Sequence, residues 1–279
     1  MNTEHKEQIV EQLALIAQKT SQNKLAVKAG VSSATLSHMM SSKWELIKPE
    51  LWRKVQSTLK IDLNWKHVAT RNFLIITQLL NASQKNSVSI GIAFNEGHGK
   101  SHAFKQYDRM NENVIYVECM NHWSKKNFVR ELLRACGIDA EGTVHYLIEK
   151  FIDHMRTLES PLVIIDQADK LKDPSLDLFM DFYNQLEGNC AFVLSGVKSL
   201  QKRIERGVRN DKQGYRELYS RIGRKFIELQ KTSLDDVVKV CRGNGIEDEE
   251  IIIEQYNLCE GDLRKIMSNV KAYKQAKNK

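Results

Sequence analysis

Ile90-Gly91-Ile92-Ala93-Phe94-Asn95-Glu96-Gly97-His98-Gly99-Lys100-Ser101 decides how the rest of this chain is read. An apolar run leads into a loop with two glycines, and Lys-Ser then opens a helix. Strand, glycine loop and helix in that order form the layout of a phosphate cradle. Backbone N–H groups and a helix N-terminus offer partial positive charge to a polyphosphate. On this reading Lys100 reaches the terminal phosphates and the Ser101 hydroxyl ligates magnesium. Asn95, Glu96, Gly97, His98, Gly99 and His102 make up the rest of the cradle. The pattern G-x-x-x-x-G-K-[ST] is incomplete, because Phe94 stands where the first glycine is usual.

A second stretch, Pro161-Leu162-Val163-Ile164-Ile165-Asp166-Gln167-Ala168-Asp169, follows some 65 residues on. Four apolar residues, most of them β-branched, predict a buried parallel strand. Asp166 falls at its C-terminal end, where open α/β sheets bind ligands. A carboxylate there holds the magnesium water shell opposite Ser101. Each stretch alone also fits a core strand and a turn. Together, in this order and spacing, they point to a nucleoside triphosphate site.

Around these two landmarks the chain divides into three sections. Residues 1–62 read as all-helical, 63–230 alternate strand and helix, and 231–279 are helical again. Ser87–Ile92, Asn113–Glu118, Leu162–Ile165, Cys190–Gly196 and Phe226–Leu229 are the expected strands. Expected helices span Asn127–Cys136, Thr143–Leu158 and Asp177–Leu186. Such alternation predicts a parallel sheet with helices on both faces. With 279 residues, two or three small domains fit. No apolar run reaches 18 residues, so no membrane span and no membrane partner are expected. The first residues lack the apolar core of a secretory signal. Five scattered cysteines form no C-x-x-C pair, and they read as small buried hydrophobes in a reducing cytosol.

Net charge is +7 and the isoelectric point about 9.0, which favours a polyanionic partner. Residues 198–225 carry ten Lys/Arg against three acids, and six basic residues with no acid follow Asp262. In the first section, Gln22–Met40 places Leu25, Ala26 and Ala29 on one helix face. Gly30 suits a left-handed helix end, Val31 packs inward, and Ser32 caps a second helix lined by Leu36 and Met40. This resembles the helix-turn-helix of repressor-type DNA-binding proteins. It puts Ser33, Ser37 and His38 toward the groove and Lys24, Lys28 and Lys43 near phosphates. No arginine lies on that second helix, so strong guanine readout is not expected. The same helices also suit a small bundle used for protein contact.

Gly97–Ser101, Ile164–Leu171, Leu194-Ser195-Gly196, Tyr219–Arg224 and Gly261-Asp262-Leu263-Arg264 fall in the order seen in the AAA+ ATPases, which the chain resembles over roughly residues 65–275. More narrowly it is similar to the target-selection ATPases of DNA transposition, the MuB and TnsC group. That resemblance implies an α/β AAA+ P-loop core, an N-terminal helix-turn-helix domain and a small C-terminal helical lid. It implies ATP and magnesium as cofactors, and duplex DNA, a transposase and further copies of the chain as partners. It also implies a bacterial or phage protein that is cytoplasmic and nucleoid-associated. Ser195 becomes a polar sensor of the γ-phosphate. Arg221, or failing it Arg224, becomes a finger acting in a neighbouring subunit, and Arg264 a second sensor. Lys125, Lys126 and Thr143 become contacts to the DNA backbone. A helicase loader and a nucleotide-sensing transcription regulator are the alternatives.

Gln167 departs from the family, which has glutamate beside this aspartate. An amide holds a water but takes no proton. Losing a general base costs roughly 10²–10⁴-fold in rate, so tight ATP binding with slow turnover is expected. Asp169 is the nearest substitute base.

Overall fold

Leu162–Ile165 forms an interior strand of the sheet, as its unbroken apolar run demands. In a computed structural model that describes residues 2–63 and 65–277, every residue of this strand is buried. The chain begins with α1 (Thr3–Ala17), α2 (Gln22–Ala29), α3 (Ser33–Met40) and α4 (Pro49–Thr58). Ser21 and Ser32 cap α2 and α3 by accepting from Lys24 N and Thr35 N, each cap worth about 1 kcal/mol. Gly30 ends α2 in the left-handed conformation, and Pro49 opens α4. Ile9, Leu13, Leu25, Ala29, Leu36, Trp52 and Val55 close one core. On α3 the fully buried partner of Leu36 is Met39, while Met40 is half-buried. Met40 packs against the same core, so Leu36, Met39 and Met40 together line the inner side of this eight-residue helix.

The second section runs α5 (Arg71–Asn86), β1 (Ile90–Ala93), α6 (Lys100–Met110), β2 (Val114–Glu118), α7 (Lys125–Ala135), α8 (Val144–Arg156), β3 (Leu162–Asp166), α9 (Asp173–Leu186), β4 (Ala191–Gly196), α10 (Lys198–Arg209), α11 (Tyr215–Arg221) and β5 (Phe226–Ile227). The strands are parallel, in the order β2-β3-β4-β1-β5. Alternation along β3 and β4 sends Val163, Ile165, Phe192 and Leu194 to one face, where Phe128, Leu132, Phe151 and Phe182 meet them. Ile164 and Val193 face the other way, onto Ile76, Leu80 and Phe104.

Several boundaries differ from the sequence reading. Ser87 takes φ +50 as the left-handed end of α5, so β1 starts at Ile90. Pro174 sits in the first turn of α9, which therefore begins at Asp173 rather than 177. The closing strand keeps only Phe226 and Ile227. Lys125 and Lys126 are the first residues of α7, capped by Ser124, rather than part of a loop.

The last section is α12 (Leu234–Gly243), α13 (Glu249–Cys259) and α14 (Leu263–Lys277). Val237, Val240, Ile252, Ile266 and Val270 form its core, and Trp65 and Val68 of the connector pack against it. Lys279 of the basic tail lies outside the described residues. All five cysteines are buried and free. No helix among the described residues is long and apolar enough to cross a membrane.

Replacing Phe151, fully buried and 4.9 Å from the Phe182 ring, with alanine is expected to cost about 3–5 kcal/mol. Leu74→Ala, at a half-exposed position, is expected to stay within about 0.5 kcal/mol. Denaturant midpoints measure both, and equal shifts would contradict the packing described.

Candidate functional site

Gly97 and Gly99 carry the loop turn. Their φ angles are +74 and +85, in the region that L side chains avoid. A Cβ on Gly97 would lie 2.1 Å from Asp262 Oδ1, so the third section closes directly on this glycine. Leu263 N donates to Gly97 O at 2.9 Å and fixes that approach. Phe94 needs no such freedom. It is absent from the positive-φ positions and packs edge-on against His98, with ring centroids 4.8 Å apart. Phe94 thus replaces the usual first glycine without straining the loop.

Lys100 starts α6 and is buried. Its Nζ donates to Phe94 O and Asn95 O, both at 2.8 Å. Burial pushes its pKa down, and the field of Asp166, Glu96 and Asp169 pulls the other way. Asp166 ends β3 and is also buried. Ser195 Oγ donates to its Oδ1 at 3.1 Å, Gln167 N donates to the same oxygen at 2.9 Å, and Tyr116 OH donates to Oδ2 at 3.2 Å. Burial raises the Asp166 pKa against hydrogen bonds from Ser101, Gln167 N and Ser195. A hydroxyl and a carboxylate in contact are hard oxygen donors, a fit for magnesium, which takes one or two protein ligands plus phosphate and water. Two glycines, a buried lysine and a helix N-terminus fit a triphosphate.

A cleft of about 570 Å³ brings together Glu96, Gly97, His98, Gly99, Lys100, Ser101, His102, Asp166, Gln167 and Arg264. Arg264 grips Asp262 with two bonds, Nε to Oδ1 at 3.1 Å and Nη2 to Oδ2 at 2.9 Å. Apolar Trp65, Val68, Phe73, Val240 and Met267 line the same cleft. The sequence reading missed these residues. They come from the connector, α5 and the last section, and only packing assembles them.

Other expected positions land differently. Asn95 is exposed, and its contribution is the carbonyl held by Lys100. Ser195 is wholly buried and spends its hydroxyl on Asp166; Gly196 and Val197 line the cleft instead. Arg221 lies away from the cleft. Glu187 at 3.2 Å, Glu217 at 3.7 Å and the Tyr183 ring at 4.9 Å hold its guanidinium within its own chain. Asp169 Oδ1 accepts from Val197 N at 3.2 Å, which ties it to the β4–α10 turn.

Among the expected DNA contacts, Lys125 and Lys126 are exposed, and Thr143 Oγ1 caps α8 by accepting from Tyr146 N. Ser37 is exposed and His38 half-buried. Ser33 donates its hydroxyl to Asn23 Oδ1 at 2.7 Å. Lys24 and Lys28 turn toward the α/β core rather than outward. The Lys24 backbone would lie 2.8 Å from a Cβ on Gly137, and Lys28 Nζ sits 4.0 Å from Asp108.

Glu118, which the sequence reading passed over, ends β2 beside Asp166 in the strand register. Lys60 and Lys105 pair with it, the latter at 3.1 Å. Burial works to raise its pKa, but the two ammoniums win and pull it down to about 2.

Residues 94–204 match the family model of an AAA domain. The matched span runs from the glycine loop through β2, β3 and β4 into α10, and it indicates an AAA-type P-loop ATPase that uses a nucleotide. No curated protein matches the chain.

His102 hydrogen-bonds His67 at 2.7 Å on the cleft wall, and one ring must donate while the other accepts. Burial, then His67, Arg109 and Lys105, lower the His102 pKa from 6.5 to about 4. The unfolded chain therefore binds this proton first. Stability present above pH 6.5 is lost as pH falls toward about 4. Thermal melts of His102→Gln are expected to lose part of the slope that the unsubstituted protein shows across that window. An identical slope would contradict a neutral, half-buried His102.

Proposed function

We propose that this chain is an ATP-dependent AAA+ ATPase that binds duplex DNA with little sequence preference, assembles on it, and selects target DNA for a transposase. The observation that carries the nucleotide part is the convergence of Lys100, Ser101, Asp166 and Arg264 on one cleft from three distant segments. In this reading the Lys100 ammonium exchanges two carbonyls for phosphate oxygens. Ser101 and Asp166 hold magnesium, and the apolar lining with Trp65 and Val68 receives the base. Bound ATP supplies the phosphoanhydride that is cleaved. Arg264 leaves Asp262 for phosphate, so the last section acts as a lid whose position reports the nucleotide.

The DNA part rests on charge. Lys202, Arg206, Arg209, Arg224 and Lys225 are all exposed along the basic stretch, and Lys125 and Lys126 are exposed at the start of α7. In the N-terminal section, taken as a helix-turn-helix, Ser37 and His38 on α3 are the positions left for the groove. With Lys24 and Lys28 turned inward and no arginine on α3, weak, shape-level contact is the expectation. Assembly would need an arginine in trans. Arg224, exposed and without a side-chain partner among the described residues, is freer for it than Arg221. Gln167 favours one other reading, a nucleotide-sensing regulator that hydrolyses little, because an amide takes no proton.

Electron microscopy of the protein with random-sequence duplex, with and without ATP, separates these. ATP-dependent filaments support the proposal. Rings without a duplex requirement mean a loader, and dimers on a single sequence mean the regulator. Lys100→Ala is expected to weaken ATP binding by roughly 100-fold, the scale of two charge-assisted hydrogen bonds, and to abolish nucleotide-dependent assembly. Unchanged affinity in a direct titration would overturn the nucleotide site.

A further inference from the structure

Gln167 follows the buried Asp166 with φ +55, a conformation that is costly for a non-glycine residue and persists where neighbours fix it. Its side chain has two hydrogen-bond partners among the described residues. Nε2 donates to Glu118 Oε1 at 2.6 Å, and Oε1 accepts from the Lys170 ammonium. The parallel register sets Glu118 against Asp166, so the pairing of β2 with β3 brings the carboxylate to the amide. Lys60 from the end of the N-terminal section and Lys105 from α6 hold Glu118 from the other side. Gln167 and Lys170 line the nucleotide cleft, whereas Glu118 lines the cleft between the N-terminal section and the core.

The orientation of this amide is forced by chemistry. An ionised carboxylate has no donor, and an ammonium has no acceptor. Nε2 must therefore face Glu118, and Oε1 must lie on the Lys170 side. A water poised for attack needs an acceptor for one of its hydrogens, and the flipped amide would show it an NH2 group instead. We infer that Glu118 is a positioning residue for hydrolysis, locking the Gln167 amide so that its oxygen faces the nucleotide cleft. Gln167 accepts a hydrogen bond and no proton. The carboxylate missing beside Asp166 stands one strand away, where it orients the amide and does not touch the nucleotide. Lys60 makes docking of the N-terminal section part of that hold. The inference rests on the ATPase reading proposed above.

Gln167→Glu, which restores the carboxylate usual beside this aspartate, does not by itself fit the site. Alone, it sets two carboxylates 2.6 Å apart where an amide met one. Glu118→Gln alone, with no change in shape, turns its oxygen to Lys60 and Lys105 and its NH2 to Gln167, whose amide then either meets that NH2 with its own or flips its NH2 onto the Lys170 ammonium, so one pairing is lost either way. The exchange Glu118→Gln with Gln167→Glu satisfies every donor and acceptor again. The test is a double-mutant cycle on the full-length protein, with single-turnover ATP hydrolysis and fluorescent-ATP affinity measured in parallel. Glu118→Gln is expected to hydrolyse about 10-fold slower than the unsubstituted protein, the scale of one mispaired hydrogen bond. Its nucleotide affinity should stay within about twofold, since Glu118 does not reach the nucleotide cleft. The exchanged pair is expected to be at least about 10-fold faster than Gln167→Glu alone, on the same scale.

Additive single effects, or Gln167→Glu matching the exchanged pair, would overturn the inference while leaving the ATPase reading intact. Glu118→Gln hydrolysing at the parental rate would do the same. Failure of the unsubstituted protein to bind ATP would overturn the ATPase reading and this inference with it. The isosteric substitutions preserve packing, and thermal melts of each variant confirm that the fold is kept.

Discussion

A buried ammonium held by backbone carbonyls organises this molecule. Lys100 lies at the junction of the glycine loop and α6, and its two hydrogen bonds pull the loop back over its own helix. Burying a cation is costly unless it is paired or hydrogen-bonded. Here two carbonyls and the nearby charges of Asp166, Glu96 and Asp169 offset that cost. The helix that starts at this lysine then runs to the N-terminal section. Near its far end Arg109 donates to Leu59 O at 2.7 Å and Lys60 O at 3.0 Å. Helix α6 thus bonds the glycine loop at one end and the N-terminal section at the other.

Besides the packing of Trp65 and Val68 against the last section, polar contacts link the three sections. Lys271 pairs with Asp62 at 2.7 Å, Arg71 N donates to Asp236 Oδ1 at 2.7 Å, and Leu263 N donates to Gly97 O. The Lys271–Asp62 ion pair contributes up to about 1 kcal/mol, and each of the two hydrogen bonds about as much. Such ties join four hydrophobic clusters, one on each face of the sheet and one in each flanking section. Asp262 sits against Gly97 while gripping Arg264, so the ties and the cleft share residues.

What the sequence disclosed was local chemistry and long apolar runs. Lys100, Ser101 and Asp166 could be read because a lysine and hydroxyl after glycines, and a carboxylate ending an apolar strand, carry their chemistry in adjacent residues. The central strands were readable because β3 and β4 are buried on both faces. The start of β1 was not, since apolar alternation continues backward through Val88 into the end of α5. Fates decided by a neighbouring element were equally hidden. Ser195 turns inward because Asp166 lies on the adjoining strand, Arg221 meets Glu187 at the end of α9, and Lys24 and Lys28 face the core because α2 docks there. Sequence flagged Gln167 as unusual. Its partner Glu118 needed the register of β2 on β3, which no pattern of apolar residues encodes.

The claim on which the rest stands is that triphosphate and metal meet at Lys100, Ser101 and Asp166. A crystal grown with manganese and a non-hydrolysable ATP analogue, measured at the manganese absorption edge, addresses it directly. The account predicts an anomalous peak between Ser101 Oγ and the Asp166 carboxylate, with Lys100 Nζ on a phosphate oxygen and off the carbonyls of Phe94 and Asn95. A peak elsewhere, or Lys100 still bound to those carbonyls with the phosphates outside the loop, would contradict it.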